Sequence, residues 1–87
     1  MFTVTLTKEA QKQALKMPLL QQKKLTVLIE DLERIGPLQP KWPNFSSIGE
    51  NRFHCHLSHK WVACWTFEKD ELKIEVYYAS SRENAPY

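Results

Sequence analysis

Residues 51–79 read NRFHCHLSHKWVACWTFEKDELKIEVYYA, three apolar runs separated by two short polar turns. From Asn51 to Ser58 the residues alternate, with Phe53, Cys55 and Leu57 on one face of a strand and Arg52, His54, His56 and Ser58 on the other. His59-Lys60 is a turn. From Trp61 to Phe67 both faces are apolar: Trp61, Ala63, Trp65 and Phe67 oppose Val62, Cys64 and Thr66. A strand covered on both sides belongs in the middle of a sheet. After a charged turn, Leu72 to Ala79 alternates again, with Leu72, Ile74, Val76 and Tyr78 against Lys73, Glu75, Tyr77 and Ala79. Three consecutive strands joined by short turns make an antiparallel sheet.

Upstream of this block the period changes. Phe2, Val4 and Leu6 alternate with Thr3 and Thr5, so Met1–Leu6 reads as a further strand. Thr7 has the chemistry of a helix N-cap. The helix after it, Lys8–Met17, has only the shallow stripe Ala10, Ala14 and Met17. Pro18 cannot lie inside a helix and marks a bend. Leu25, Leu28, Leu32 and Ile35 then recur at helical spacing through Leu19–Ile35, and Gly36-Pro37 stops that helix. Residues 38–48 read as a loop whose aromatics, Trp42 and Phe45, pin it to the edge of the domain. The expected order is β-α-α-β-β-β. This is an α+β fold in which a helical hairpin packs on one face of a small, mainly antiparallel sheet.

Size and composition bound the function. The chain has 87 residues, enough for one domain spanning 1–87. Hydrophobic residues make up 43% and charged residues 25%, the balance of a globular domain. Its net charge of +2 is too small by itself to argue for nucleic acid. The apolar runs are too short to span a membrane, and the N-terminus lacks the pattern of a signal peptide. Gly36 and Gly49 are the only glycines, so there is no glycine-rich phosphate loop, and nucleotide-dependent chemistry is set aside. Cys55 and Cys64 are too few for a disulfide framework and read as small buried hydrophobes, consistent with a reducing cytoplasmic setting.

The residues with chemical potential are Arg52, His54 and His56. Same-face neighbours on a strand lie about 6–7 Å apart, so the row offers a proton acceptor, a proton donor and a fixed cation. In-line cleavage of RNA needs those three groups. A base takes the 2′-hydroxyl proton, an acid protonates the leaving 5′-oxygen, and a guanidinium holds the phosphorane charge. Histidine titrates near neutral pH and can fill either proton-transfer role. No metal or cofactor is required. A zinc site at His54, His56 and His59 is the competing reading, but no carboxylate or cysteine on that face completes it. The tail, Ser80–Tyr87, is expected to fold back so that Arg82 and Tyr87 join the row. Charge is uneven. Lys8, Lys12, Lys16, Lys23, Lys24, Arg34 and Lys41 outnumber the acids before residue 46. The helical lysines, with Lys60, are the candidate RNA contacts.

The segment Arg52-Phe53-His54-Cys55-His56-Leu57, followed by Trp61–Trp65, by Glu75-Val76-Tyr77-Tyr78 and by the closing Ala85-Pro86-Tyr87, resembles the RelE-like branch of the RelE/ParE superfamily of type II toxin–antitoxin toxins. The order of elements resembles that superfamily over nearly the whole chain. The resemblance implies a ribosome-dependent mRNA endonuclease that inhibits translation. The ParE-like alternative is a gyrase-inhibiting toxin, and a third reading is an interaction domain without nuclease activity. It also implies a cognate antitoxin as partner, with mRNA, on or off the ribosome, as substrate. By position Arg52 matches the arginine that the family often has on its second strand, and Tyr87 matches its terminal tyrosine. Where related tails place a histidine, this chain has Ser81-Arg82-Glu83. The implied catalytic set is therefore Arg52, His54, His56, Arg82 and Tyr87.

Overall fold

A computed structural model describes residues 1–87. The elements are β1 (Thr3–Leu6), α1 (Lys8–Lys16), α2 (Leu19–Ile35), β2 (Ser46–Gly49), β3 (Arg52–His56), β4 (Trp61–Glu68) and β5 (Lys73–Ser81), followed by a short 3-10 turn at Arg82–Asn84. The five strands form one sheet in the order β1-β5-β4-β3-β2. β1 runs parallel to β5, and every other pairing is antiparallel. β4 is the central strand, as its apolar faces require.

Local chemistry sets the helix ends. Thr7 Oγ1 accepts the Ala10 amide at 3.0 Å and caps α1. Pro18, with φ fixed at −53°, turns the chain into α2. α2 ends at Gly36, which adopts φ 112°, and a Cβ there would sit 2.8 Å from the Phe2 ring. Both the backbone conformation and the close approach therefore demand glycine. Just beyond, the Pro37 carbonyl accepts the Trp65 indole N–H at 3.0 Å, which ties the helix stop to the central strand.

The two helices cover one face of the sheet. The core there is built from Ala10, Met17, Leu25, Leu28, Leu32, Cys55, Leu57, Ala63, Trp65, Ile74, Val76 and Ala79. Phe45 stacks on Phe53 and Trp65, with ring centroids 5.8 and 6.1 Å apart, and closes its edge. Trp42 packs against the same core and donates to Asp31 Oδ2 at 2.9 Å. Both loop aromatics thus pin the loop. α1 is the thin helix, with Ala10 its only buried residue. β1 ends opposite Val76, and past it the Ala79 amide of β5 is taken by Gln13 Oε1 of α1 at 3.0 Å.

Three expectations need correction. Ser46–Gly49 is a strand rather than loop, at the sheet edge beside β3. It is four residues long with Ile48 its one apolar, partly buried residue, so no alternation marks it. Ile35 is 53% exposed and does not join the buried α2 stripe; it is the last helical residue before Gly36 turns the chain. The third correction concerns the faces of β5. Cys64 pairs with Tyr78 but Trp65 pairs with Val76, so β5 carries one extra residue at Tyr77. Such a bulge reverses the alternation beyond it. Tyr78 therefore leaves the row of Ile74 and Val76 and joins Cys64 on the opposite face, while Ala79 enters the helix-covered core.

Candidate functional site

The face of the sheet turned away from the helices carries a second, small apolar cluster of Val62, Cys64 and Tyr78, with Ile48, Tyr77 and Ala85 packed on it. His54 and His56 lie in register with Cys64 and Val62, so the histidine row borders this cluster. The bulge makes this possible by delivering both Tyr77 and Tyr78 to the same side. Ala85 belongs to the tail, which folds back as the sequence suggests.

Both histidines are more enclosed than an open strand face implies: His54 is 8% and His56 is 7% exposed. Each ring is held through Nδ1. Ser46 Oγ lies 3.1 Å from His54 Nδ1, and Asn44 Nδ2 lies 3.2 Å from His56 Nδ1. The two rings are 5.8 Å apart between centroids. Asn44 adopts φ 54°, a left-handed conformation that asparagine tolerates better than most residues. Pro43, next to it, accepts the His56 amide at 2.8 Å. The loop before β2 and β2 itself thus supply one polar anchor to each histidine. On the other side the Tyr87 ring packs on His54, with centroids 4.2 Å apart, and remains 50% exposed.

Burial pushes the pKa of both histidines below 6.5. For His54 contact with the Ser46 main chain opposes the shift. For His56 the nearby His54, Arg82 and His59 add to it. Both rings are therefore neutral at neutral pH. An amide N–H donated to His56 Nδ1 leaves the His56 proton on Nε2. A hydroxyl beside His54 Nδ1 can accept that N–H and leave Nε2 free to take a proton. Burial raises the phenols of Tyr77 and Tyr87, which stay protonated. It also raises the buried thiols, Cys64 to about 12, so neither cysteine is a nucleophile.

The remaining expected site residues divide into two groups. Arg52 is exposed, one same-face step from His54, and its charge acts on Tyr77. Arg82 is exposed at the start of the tail turn, and its amide donates to the Lys60 carbonyl at 2.8 Å. Lys60 flanks the row in the β3–β4 turn. Lys8, Lys12, Lys16, Lys23 and Lys24 sit on α1 and α2, across the sheet from the histidines. Asn44 and Ser46 were missed by sequence reasoning. Their only signal was a polar pair ahead of the histidine strand, indistinguishable from ordinary loop composition. No group of three or more His, Cys, Asp or Glu side chains converges to hold a metal ion.

No protein-family model matches the chain, and no curated relative is similar enough to match. Solved structures do match. The archaeal RelE–RelB complex from Pyrococcus horikoshii OT3 aligns with TM-score 0.77 at 13% identity, over 97% of this chain and 98% of that one. The YoeB/ParE toxin from Agrobacterium tumefaciens aligns with TM-score 0.77 at 8% identity, over 93% and 99%. A metal-bound toxin from Helicobacter pylori aligns with TM-score 0.73 at 20% identity, over 95% and 97%. The chain has the α+β fold of RelE/ParE-superfamily toxins, two helices on one face of a five-stranded, mostly antiparallel sheet.

Proposed function

We propose that the chain is the toxin of a type II toxin–antitoxin pair and acts as a metal-independent mRNA endonuclease. The observation that carries this reading is the anchored pair His54 and His56, each ring held through Nδ1, with Tyr87 against His54. Positioned, neutral imidazoles beside a protonated phenol are the groups that acid–base cleavage of RNA uses.

In the proposed step, His54 Nε2 takes the proton of a substrate 2′-hydroxyl. The 2′-oxygen bonds to phosphorus as the bond from phosphorus to the 5′-oxygen breaks. Tyr87 protonates the departing 5′-oxygen. Arg52 and Arg82 balance the charge that builds on the non-bridging oxygens, and His56 donates its Nε2–H toward them. The products are a 2′,3′-cyclic phosphate and a free 5′-hydroxyl. The antitoxin proposal takes support from the fold neighbours solved as complexes, among them RelBE2 from Mycobacterium tuberculosis and YoeB–YefM from Staphylococcus aureus.

Inducing the chain in cells, with translation and DNA supercoiling followed separately, tests the reading. Translation stops first, and His54→Ala abolishes the effect. Loss of supercoiling with translation intact would overturn it in favour of a gyrase-directed toxin.

A further inference from the structure

Where the histidine row ends, the turn between β3 and β4 and the tail turn border a cleft of about 420 Å³ lined by His59, Lys60, Trp61, Ser81, Arg82 and Glu83, with Trp61 on the helix-covered side of the sheet. We propose that this cleft is a flanking-nucleotide subsite for single-stranded RNA. In it Lys60 holds the backbone phosphate next to the scissile one that Arg82 contacts, and the base lies against Trp61. The inference rests on the nuclease reading above and adds where the rest of the strand runs.

Three observations support it. First, the cleft is built rather than incidental. Its walls are joined by the Arg82 amide donating to the Lys60 carbonyl at 2.8 Å, and Trp61 is in register with Ser81 across the β4–β5 ladder. Its volume lies in the range of small-ligand sites. Second, its cations are uncommitted. The chain's two ion pairs are Arg34–Asp31 and Lys73–Glu71, so neither Lys60 nor Arg82 is neutralised by a partner. Glu83 is the one acid in the lining. Arg82 and His59 both lower the His56 pKa, so the cleft and the row share one electrostatic field. A half-buried tryptophan beside unpaired cations suits a single strand, which binds through stacking and phosphate contact.

Third, the alternative path along the sheet is unfavourable. Across the face from β3, toward β1, a second concavity is lined by Thr3, Thr5, Thr66 and Lys73 together with Glu68, Glu71 and Glu75. Three carboxylates against one lysine repel a phosphate chain. From the histidines, the strand is therefore directed to the Lys60–Arg82 end.

The probe is a 2′-O-methyl RNA tetranucleotide, which cannot undergo 2′-hydroxyl attack, so binding is read without cleavage. Each phosphate contact to a single strand steepens the dependence of log affinity on log salt by about 0.7. Lys60→Ala is expected to flatten that slope by about this amount, and Lys69→Ala, in the distant β4–β5 turn, to leave it unchanged. Trp61→Leu is expected to weaken binding about 5- to 100-fold through lost stacking. Because Trp61 also touches the core, NMR shifts of its indole N–H and of the His59 ring on adding the probe give a readout that needs no variant. Wild-type affinity and slope in Lys60→Ala, with shifts confined to the helices, would overturn the subsite even if the protein cuts RNA. Binding in the cleft without cleavage of unmodified RNA would keep the subsite and remove the nuclease reading.

Discussion

The helix-covered face of the sheet and the face bearing His54 and His56 use the same strands and are held by different forces. On the first, Leu28, Leu32, Trp65, Ile74 and Val76 are wholly buried, and apolar burial does nearly all the work. On the second, a core of three residues supports rings fixed by single hydrogen bonds with Asn44 and Ser46 and by a tail whose last ring is half exposed. The first face rests on close packing of large buried side chains, so its residues chiefly carry stability. The second is specified by a few polar pairs, and losing any one would alter chemistry more than stability.

Trp65→Ala should break the first face most severely. It removes a fully buried indole together with its hydrogen bond to Pro37, and a loss of about 3–5 kcal/mol is expected in denaturant unfolding. His54→Ala on the second face should show the reverse. RNA cleavage is expected to fall about 10²–10⁴-fold, as for loss of a general base, while the unfolding midpoint changes far less than in Trp65→Ala. If both variants lost stability equally, the contrast between the faces would be wrong.

Much of the first face was legible in the sequence. Helical spacing gave Leu25, Leu28 and Leu32, the doubly apolar run gave the central strand, and Gly36-Pro37 gave the helix stop. The site was legible in outline, through the alternation that sets His54 and His56 side by side. Its supports were not. A bulge is set by register between strands, so nothing local to Tyr77 announces that Tyr78 and Ala79 exchange faces. Asn44 and Ser46 reach the histidines from 12 and 8 residues away, across a strand too short and exposed to show a period.

Gln13 offers a smaller test of how the faces are joined. Gln13→Ala leaves the Ala79 amide without its partner and should cost about 1–3 kcal/mol, read as a lower unfolding midpoint. The smallest effect should come from pH. The folded pKa values of His54 and His56 lie below the unfolded value of 6.5, so the unfolded chain binds more protons as pH falls past that point. The associated stability is present above pH 6.5 and is lost as pH drops through the folded values. His54→Gln and His56→Gln should each flatten that decline when unfolding is followed from pH 7.5 to 5.

The chemistry left on cut RNA tests the central claim most directly. Purified protein would be incubated with mRNA, with and without ribosomes, and the new ends analysed by mass spectrometry. A 2′,3′-cyclic phosphate paired with a 5′-hydroxyl, and no cut at a nucleotide carrying a 2′-deoxy substitution, is the predicted result. A 3′-hydroxyl paired with a 5′-phosphate, or intact RNA in both conditions, would contradict it.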